Sequence, residues 1–340
     1  MTRAAPETGR LMLSDAEILQ QAAAWFREGR GVALATVIET WGSAPRAVGA
    51  HLVVDVQGAF LGSVSGGCVE GEVITAAIDA IESGAPRVLE FGVADETAWR
   101  AGLTCGGRVS IHVERIDAAL AALIESVGEE RAARRGCALV TPLAGGAHRL
   151  LRAEEDDASR ASATEIRDGA RVFVNRYAPG YRFVIVGAVH VAQALAPMAS
   201  LAGFDVIVVD PRAAFATAER LPATRFLRQW PDAAFATLGL DAFTAVAVLT
   251  HDPKIDDLAL TLALPSRCFY VGALGSRKSH ARRVERLVAQ GVAAKDLERL
   301  HAPIGLDIGA ATPAEIAVAI LGEAIACMRK AALAPVVIRQ

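Results

Sequence analysis

Two turns in this chain set a cysteine beside a pair of glycines, and a cysteine so placed suits nucleophilic, sulfur-handling or soft-metal chemistry. The first is S-G-G-C-V-E, residues 65–70. Gly66 and Gly67 free the backbone to cradle an anion, and Cys68 falls where a helix begins, whose dipole favours a thiolate. Glu70 and Glu72 fall in the first helical turn, where acids are favourable for structural reasons alone. The second turn is T-C-G-G-R, residues 104–108, with Cys105 ahead of Gly106, Gly107 and Arg108. Two such turns favour a functional Cys68 over a merely small one; for Cys105 both readings stand. Cys137, Cys268 and Cys327 read as small core residues. The five cysteines contain no C-x-x-C, which argues against a zinc ribbon or a thioredoxin-like centre.

A second chemistry is phosphate binding. V-I-V-G-A-V-H-V-A, residues 184–192, follows a strand and opens a helix, and Asp210 ends the next strand. A dinucleotide turn wants G-x-G-x-x-G/A and then an acid for the ribose hydroxyls. Gly187 fits the first position and Ala192 the third, but Val189 replaces the second glycine and puts a side chain where a pyrophosphate would approach. The pattern thus predicts a Rossmann-like fold and disfavours NAD(P) as the working cofactor. His190 either meets a phosphate at the helix start or lines the loop. T-H-D-P-K (250–254) and G-A-L-G-S-R-K-S-H-A-R-R (272–283) each follow a strand, where ligands of open parallel sheets bind. Gly272, Gly275 and Ser276 offer amides, and Arg277 and Lys278 offer charge. Basic residues in a first helical turn oppose the dipole unless an anion is near, which favours an anion site over a solvated helix face. Asp307, in P-I-G-L-D-I-G, reads as a loop-satisfying acid before it reads as a ligand.

Other chemistries are missing from the sequence. It holds no G-x-x-x-x-G-K-[ST], no H-E-x-x-H and no G-x-S-x-G. His51 and His112 sit on strands and read as packed or exposed, not catalytic. A thiol enzyme with Cys68 as nucleophile lacks a histidine base that the sequence can place. A net charge of −3 argues against nucleic acid as the main partner. No run of about 18 apolar residues predicts a membrane span, and residues 1–13 lack a secretory pattern, so a cytoplasmic protein is expected. Nearly all positive charge is arginine, whose flat guanidinium suits two-pronged anion contacts.

The elements that must position these residues follow from spacing. Ser14 and Glu17 form a capping-box pattern at the start of a helix over 14–30. Residues 31–40 read as a buried strand, 41–50 as a loop, and the stretches either side of Gln57-Gly58 as a hairpin. Val69, Val73, Ile74, Ala77, Ile78 and Ile81 recur at helical spacing, so the chain after Cys68 is a helix. The chain of 340 residues exceeds one ordinary core. A mixed α/β domain over 1–117 is expected, then a connecting segment over 118–180 with a hairpin around 144–146 and an acidic surface stretch. A domain over 181–340 follows, where strands and helices alternate as in a parallel α/β sheet. Thr312, Pro313 and Glu315 cap a long last helix.

Taken together, G-S-A-P-R (42–46), G-S-V-S-G-G-C-V-E (62–70), L-T-C-G-G (103–107), G-A-V-H-V-A (187–192), V-V-D-P-R (208–212), T-H-D-P-K (250–254), Y-V-G-A-L-G-S-R (270–277) and G-L-D-I-G-A-A-T-P-A-E-I-A (305–317) resemble the XdhC/CoxI family of accessory proteins for molybdenum hydroxylases. Val189 departs from the glycine usual in that family. The resemblance implies an N-terminal XdhC/CoxI domain followed by a Rossmann-like domain. It implies an accessory chaperone: a protein that transiently binds the molybdenum cofactor (molybdopterin), supports its sulfuration with a cysteine desulfurase, and delivers it to the large subunit of a hydroxylase such as xanthine dehydrogenase. On that reading the cofactor meets Arg46, Gly66, Gly67, Cys68, Glu70, Cys105, Gly106, Gly107, Gly187, His190, Asp210, Gly272, Gly275, Ser276 and Arg277, with Cys68 as the sulfur-facing thiol. A homodimer is implied by the resemblance alone. The competing class is an NAD(P)-dependent oxidoreductase with a degenerate fingerprint, which Asp210 supports and Val189 opposes.

Overall fold

The computed structural model describes residues 14–42, 44–92, 107–158 and 160–333. Two compact units divide at residues 179 and 180. The N-terminal unit begins with α1 (Asp15–Arg27), whose expected capping box is formed: the Ser14 amide donates to Glu17 Oε2 at 2.7 Å and the Glu17 amide to Ser14 Oγ at 3.3 Å. Strands β1 (Val32–Trp41), β2 (His51–Asp55), β3 (Phe60–Gly62), β4 (Arg87–Phe91) and β5 (Arg108–Arg115) form an antiparallel sheet in the order β3-β2-β1-β5-β4. Alternation along β1 and β5 sends Ala33, Ala35, Val37, Ile111 and Val113 to one face, where they bury Val73, Ala77 and Ala80 of α2 (Glu70–Ser83). Gly84 ends α2 in the left-handed conformation, φ 72°. Leu34 and Val53 face the other way, onto α1 and α3 (Ala118–Ala132).

Residues 118–179 cluster with this unit. After α3 they form β6 (Cys137–Pro142), β7 (Arg149–Arg152), β8 (Ala163–Arg167) and β9 (Ala170–Tyr177), an antiparallel sheet in the order β7-β6-β9-β8. The hairpin expected around 144–146 joins β6 to β7. Carboxylates of the acidic stretch after it are taken up internally. Arg176, buried on β9, donates from Nε to Asp156 Oδ2 at 2.8 Å and from Nη2 to Glu165 Oε1 at 2.7 Å. A carboxylate run that reads as solvated thus serves a buried guanidinium.

The C-terminal unit is an open parallel sheet of β10 (Arg182–Val186), β11 (Asp205–Val209), β12 (Arg225–Leu227), β13 (Thr244–Val248), β14 (Tyr270–Ala273) and β15 (Leu300–His301). Its order, β12-β11-β10-β13-β14-β15, is the 3-2-1-4-5-6 arrangement of a Rossmann fold when counted within the unit. The helices α4 (His190–Leu201), α5 (Pro231–Leu238), α6 (Pro253–Ala263), α7 (Arg277–Ala289), α8 (Ala294–Leu297) and α9 (Pro313–Leu333) surround it. Central strands buried on both faces read as unbroken apolar runs, which is why V-I-V and A-V-A-V were legible as strands. Two apolar clusters cover the two faces: α4 and α9 pack on one, α6 and the end of α7 on the other. Thr312 and Glu315 form the expected reciprocal cap of α9.

The ion pair under β9 makes a stability prediction. Asp156→Ala leaves a buried guanidinium without its two-pronged partner and is expected to lower the unfolding free energy by roughly 3 kcal/mol. The measurement is the urea midpoint at unchanged m-value. Glu154→Ala, two residues away and exposed, is expected to change it by less than about 0.5 kcal/mol.

Candidate functional site

The Cys68 turn is built around a carboxylate of its own. Glu70 opens α2 and folds its side chain back beneath residues 63–67. Its Oε1 accepts from Ser63 Oγ (2.6 Å), the Val64 amide (3.2 Å) and the Ser65 amide (3.0 Å). Its Oε2 accepts from Ser65 Oγ (2.5 Å) and the Gly67 amide (2.8 Å). The remaining amides are satisfied by hydroxyls: Gly66 by Ser63 Oγ at 2.8 Å, Cys68 and Val69 by Ser65 Oγ at 3.0 Å each. Burial by itself pushes the Glu70 carboxyl up, but the hydrogen bonds from Ser63 and Ser65 outweigh it and hold the group at about 2. The turn was expected to cradle an external anion. Its amides are instead taken up internally, by Glu70 and by the Ser63 and Ser65 hydroxyls.

What the turn does present is Cys68 and Gly67. Cys68 is half-buried against the α2 face of the sheet. Gly67, at φ 115°, is exposed, and a Cβ there would meet nothing within 4 Å. Gly66 has less room: a Cβ would come within 3.2 Å of Pro45 Cβ, so Pro45 packs against the turn. Arg46 staples the two. Its Nε donates to the Ser63 carbonyl at 3.0 Å and its Nη2 to Asp15 Oδ1 at 2.6 Å, and Asp15 also accepts the His51 amide. Arg46, expected as a phosphate partner, is committed to this staple. Cys105 and Gly106 lie outside the described residues. Gly107 is buried and leads into β5 beside the end of β1. His51 is buried on β2 between Thr36 Oγ1 (3.0 Å) and Tyr177 Oη (2.9 Å), and burial pulls its imidazole down to about 4. It is a neutral core histidine.

In the C-terminal unit the glycine turn is also closed from within. Gly187, at φ 109°, approaches the loop after β13 so closely that a Cβ would lie 2.6 Å from Thr250 Cγ2. Asp210, the expected ribose acid, is fully buried. It accepts the Ala188 amide at 2.8 Å and is bridged by Arg212 through Nε at 2.9 Å and Nη2 at 2.8 Å. Burial opposes its ionisation, but Arg212 and the Ala188 amide win and lower its pKa. Asp210 therefore latches the loop and cannot grip a ribose diol. Val189 was expected to obstruct a pyrophosphate; its side chain instead packs onto the apolar cluster of α4 and α9. His190 is exposed at the first position of α4.

The loops after β13 and β14 were both expected to take an anion, and the structure brings them together. Gly272 is not part of this arrangement: it is buried in β14, where a Cβ would clash with Ile304 at 2.5 Å. Arg277 is exposed and does not line the space the loops enclose. Ser276 does line it, and Gly275 precedes it in the same loop, beside Ser279 and Arg283. Ser276 caps α7, and Gly275, at φ 151°, has room for no side chain because Ser279 Oγ would lie 2.8 Å from its Cβ. The cavity measures about 430 Å³, with His251, Asp256, Lys278, Arg282, Arg283 and Arg286 on its wall. Sequence reading missed Arg282, Arg283 and Arg286, although Lys278, Arg282 and Arg286 recur every four residues on one helix face. Among the described residues, no group of three or more His, Cys, Asp or Glu side chains could hold a metal ion.

The Glu70 geometry sets a pH dependence. A carboxyl ordinarily at 4.5 and held at about 2 in the fold contributes stability that is fully present above 4.5 and is lost as pH falls through 2. The gap amounts to at most about 3 kcal/mol, less what solvent screening removes at the turn's open edge. Glu70→Gln is therefore expected to be less stable than the native chain at pH 7 and to approach it near pH 2–3. Denaturant unfolding of both proteins across that range is the measurement.

Comparison with known proteins adds identity to this geometry. Residues 25–92 match the XdhC and CoxI family, and residues 183–324 match the XdhC Rossmann domain. The molybdenum cofactor insertion chaperone PaoD of Escherichia coli is 28% identical over 94% of this chain and 90% of its own length. A Bacillus subtilis protein, named as a probable subunit of xanthine dehydrogenase, is 28% identical over 88% of this chain and 94% of its own. A crystal structure from Bacillus halodurans, described as a xanthine dehydrogenase, superposes with a TM-score of 0.75 at 24% identity, covering 94% of this chain and 96% of that one; it shares the fold. With both domains matched in the same order, the chain belongs to the XdhC/CoxI family.

Proposed function

We propose that this protein is an insertion chaperone for the molybdenum cofactor, which it carries as cargo. The observation that carries the reading is the similarity to a relative named as such a chaperone, which runs through both units and so includes the Cys68 turn and the loops of the parallel sheet. The geometry supports it in two ways. Cys68 sits on a turn whose every amide from 64 to 69 is tied down, so its thiol is held in place beside the open face of Gly67. The role assigned to Cys68 is contact with the cofactor's sulfur or molybdenum, a soft centre suited to a soft ligand. Asp210 supports the same choice by exclusion, since its burial and its pairing to Arg212 remove the ribose contact that an NAD(P)-dependent oxidoreductase would use.

On this reading the partners are a cysteine desulfurase, which supplies sulfur to the cofactor, and the large subunit of a molybdenum hydroxylase of the xanthine dehydrogenase kind, which receives it. The work is cytoplasmic and the working form is a homodimer. No described helix is long and apolar enough to cross a membrane.

The test is to purify the protein anaerobically from hosts with and without molybdopterin synthesis and to assay bound molybdenum and pterin. Both are expected from the competent host only. Cys68→Ala is expected to lose most of the molybdenum while keeping the native thermal midpoint. A protein free of both molybdenum and pterin from the competent host would sink the proposal, and an unchanged load on Cys68→Ala would remove Cys68 from it.

A further inference from the structure

The cavity behind α7 holds a feature that the fold does not use. Arg283 is 4% exposed, and a buried guanidinium keeps its charge because it cannot deprotonate in a protein. Its Nη2 donates to the Leu274 carbonyl at 2.8 Å and lies 3.5 Å from Asp256 Oδ2. Its Nε and Nη1 have no partner among the described residues, although both atoms are buried. Buried donors of a charged group are almost always paired, so two left open on one side chain at a cavity wall mark a place for an acceptor.

The surroundings specify that acceptor's charge. Lys278, Arg282 and Arg286 share the wall with Arg283, against the single lining carboxylate of Asp256. That carboxylate already accepts Thr250 Oγ1 at 2.5 Å, while Arg286 is paired with buried Asp257, which does not line the cavity. Helix α7 carries no acid in its first turn and starts with Arg277 and Lys278, a charge pattern that its dipole penalises unless an anion sits at that end. Backbone conformation is shaped to the same place. His251, on the facing loop, is held at φ 65°, a region costly for a non-glycine residue, and Gly275 is bare beside the Arg283 guanidinium.

We infer that this cavity is a binding site for a phosphate ester, with Arg283 as its buried anchor and Lys278 and Arg282 as the charged rim. A volume of about 430 Å³ exceeds a lone phosphate and accommodates the phosphate with part of the molecule that carries it. The shared chemistry is a phosphate group on an organic ligand, and two sources supply it: the phosphate of a pterin cofactor or that of a nucleotide. The site stands on its own residues, and only the pterin source rests on the chaperone reading.

The experiment is calorimetric titration of the full chain with inorganic pyrophosphate, cytidine monophosphate and isolated molybdopterin, in low salt. The variants are Lys278→Ala/Arg282→Ala, both exposed positions whose loss spares the fold, and Arg283→Lys, which keeps the buried charge. The expected result is binding of pyrophosphate and of at least one organic ester to the native protein, weakened roughly tenfold or more in both variants. Cytidine monophosphate tighter than pyrophosphate assigns the nucleotide source, and molybdopterin tighter than both assigns the pterin. Equal affinities in native and variant proteins, or no binding of any probe, overturn the site. Molybdenum content separates the two proposals: pyrophosphate binding by a protein that never carries molybdenum keeps the cavity and removes the chaperone role.

Discussion

Glu70 accepts five hydrogen bonds from the turn that precedes it, and the placement of Cys68 depends on that one carboxylate. Glycines at 66 and 67 make the backbone cheap to bend but give it nothing to hold it bent. The carboxylate supplies the missing term. It gathers amides that would otherwise point at solvent, and two serines relay the remaining donors. The second anchor, Arg46, then ties the carbonyl side of the same turn to the start of α1. A thiol on a glycine-rich segment would wander; here it is fixed from both sides of the backbone.

The same device recurs across the sheet of the C-terminal unit. Asp210 binds the Ala188 amide and so locks the glycine turn after β10. Glu323 on α9 accepts Tyr270 Oη, His301 Nδ1 and the Gly305 amide, and so locks the loop after β15. In each case an internal carboxylate occupies amides that a sequence motif would assign to a ligand. Loop amides are therefore poor guides to ligand binding in this protein.

Much of the fold was legible because burial on both faces leaves its mark locally. Residues 183–186, 206–209 and 245–248 of the central strands are continuous apolar runs, and the helix after Cys68 repeats its apolar residues at 3.6 spacing. The capping boxes at Ser14 and Thr312 need only three residues of context. The four-stranded sheet over 137–177 was legible only as one hairpin, because β8 is polar and its Glu165, like Asp156 ahead of it, is neutralised by Arg176, eleven residues from the one and twenty from the other. The site was legible by location and not by role. Glycine turns mark where the chain bends tightly, but whether an internal acid fills them depends on where that acid's side chain folds. Arg212, two residues after Asp210, was the available sign that the acid is spoken for. The anion site was expected from the basic start of α7, but the burial of Arg283 has no local sign in the sequence.

These internal closures also explain where the Rossmann sheet leaves room. Ligands of such sheets bind where the strand order reverses, here between the loops after β10 and β13. In this chain that crevice is narrowed by the approach of Gly187 to Thr250, and its acid is neutralised. Thr250 in turn donates to Asp256 and fixes the first turns of α6 next to the loop after β14. Closing one crevice and shaping the next are thus two consequences of one residue's contacts. The position one strand along, between the ends of β13 and β14, keeps the volume and the unpaired positive charge that the switch point has given up.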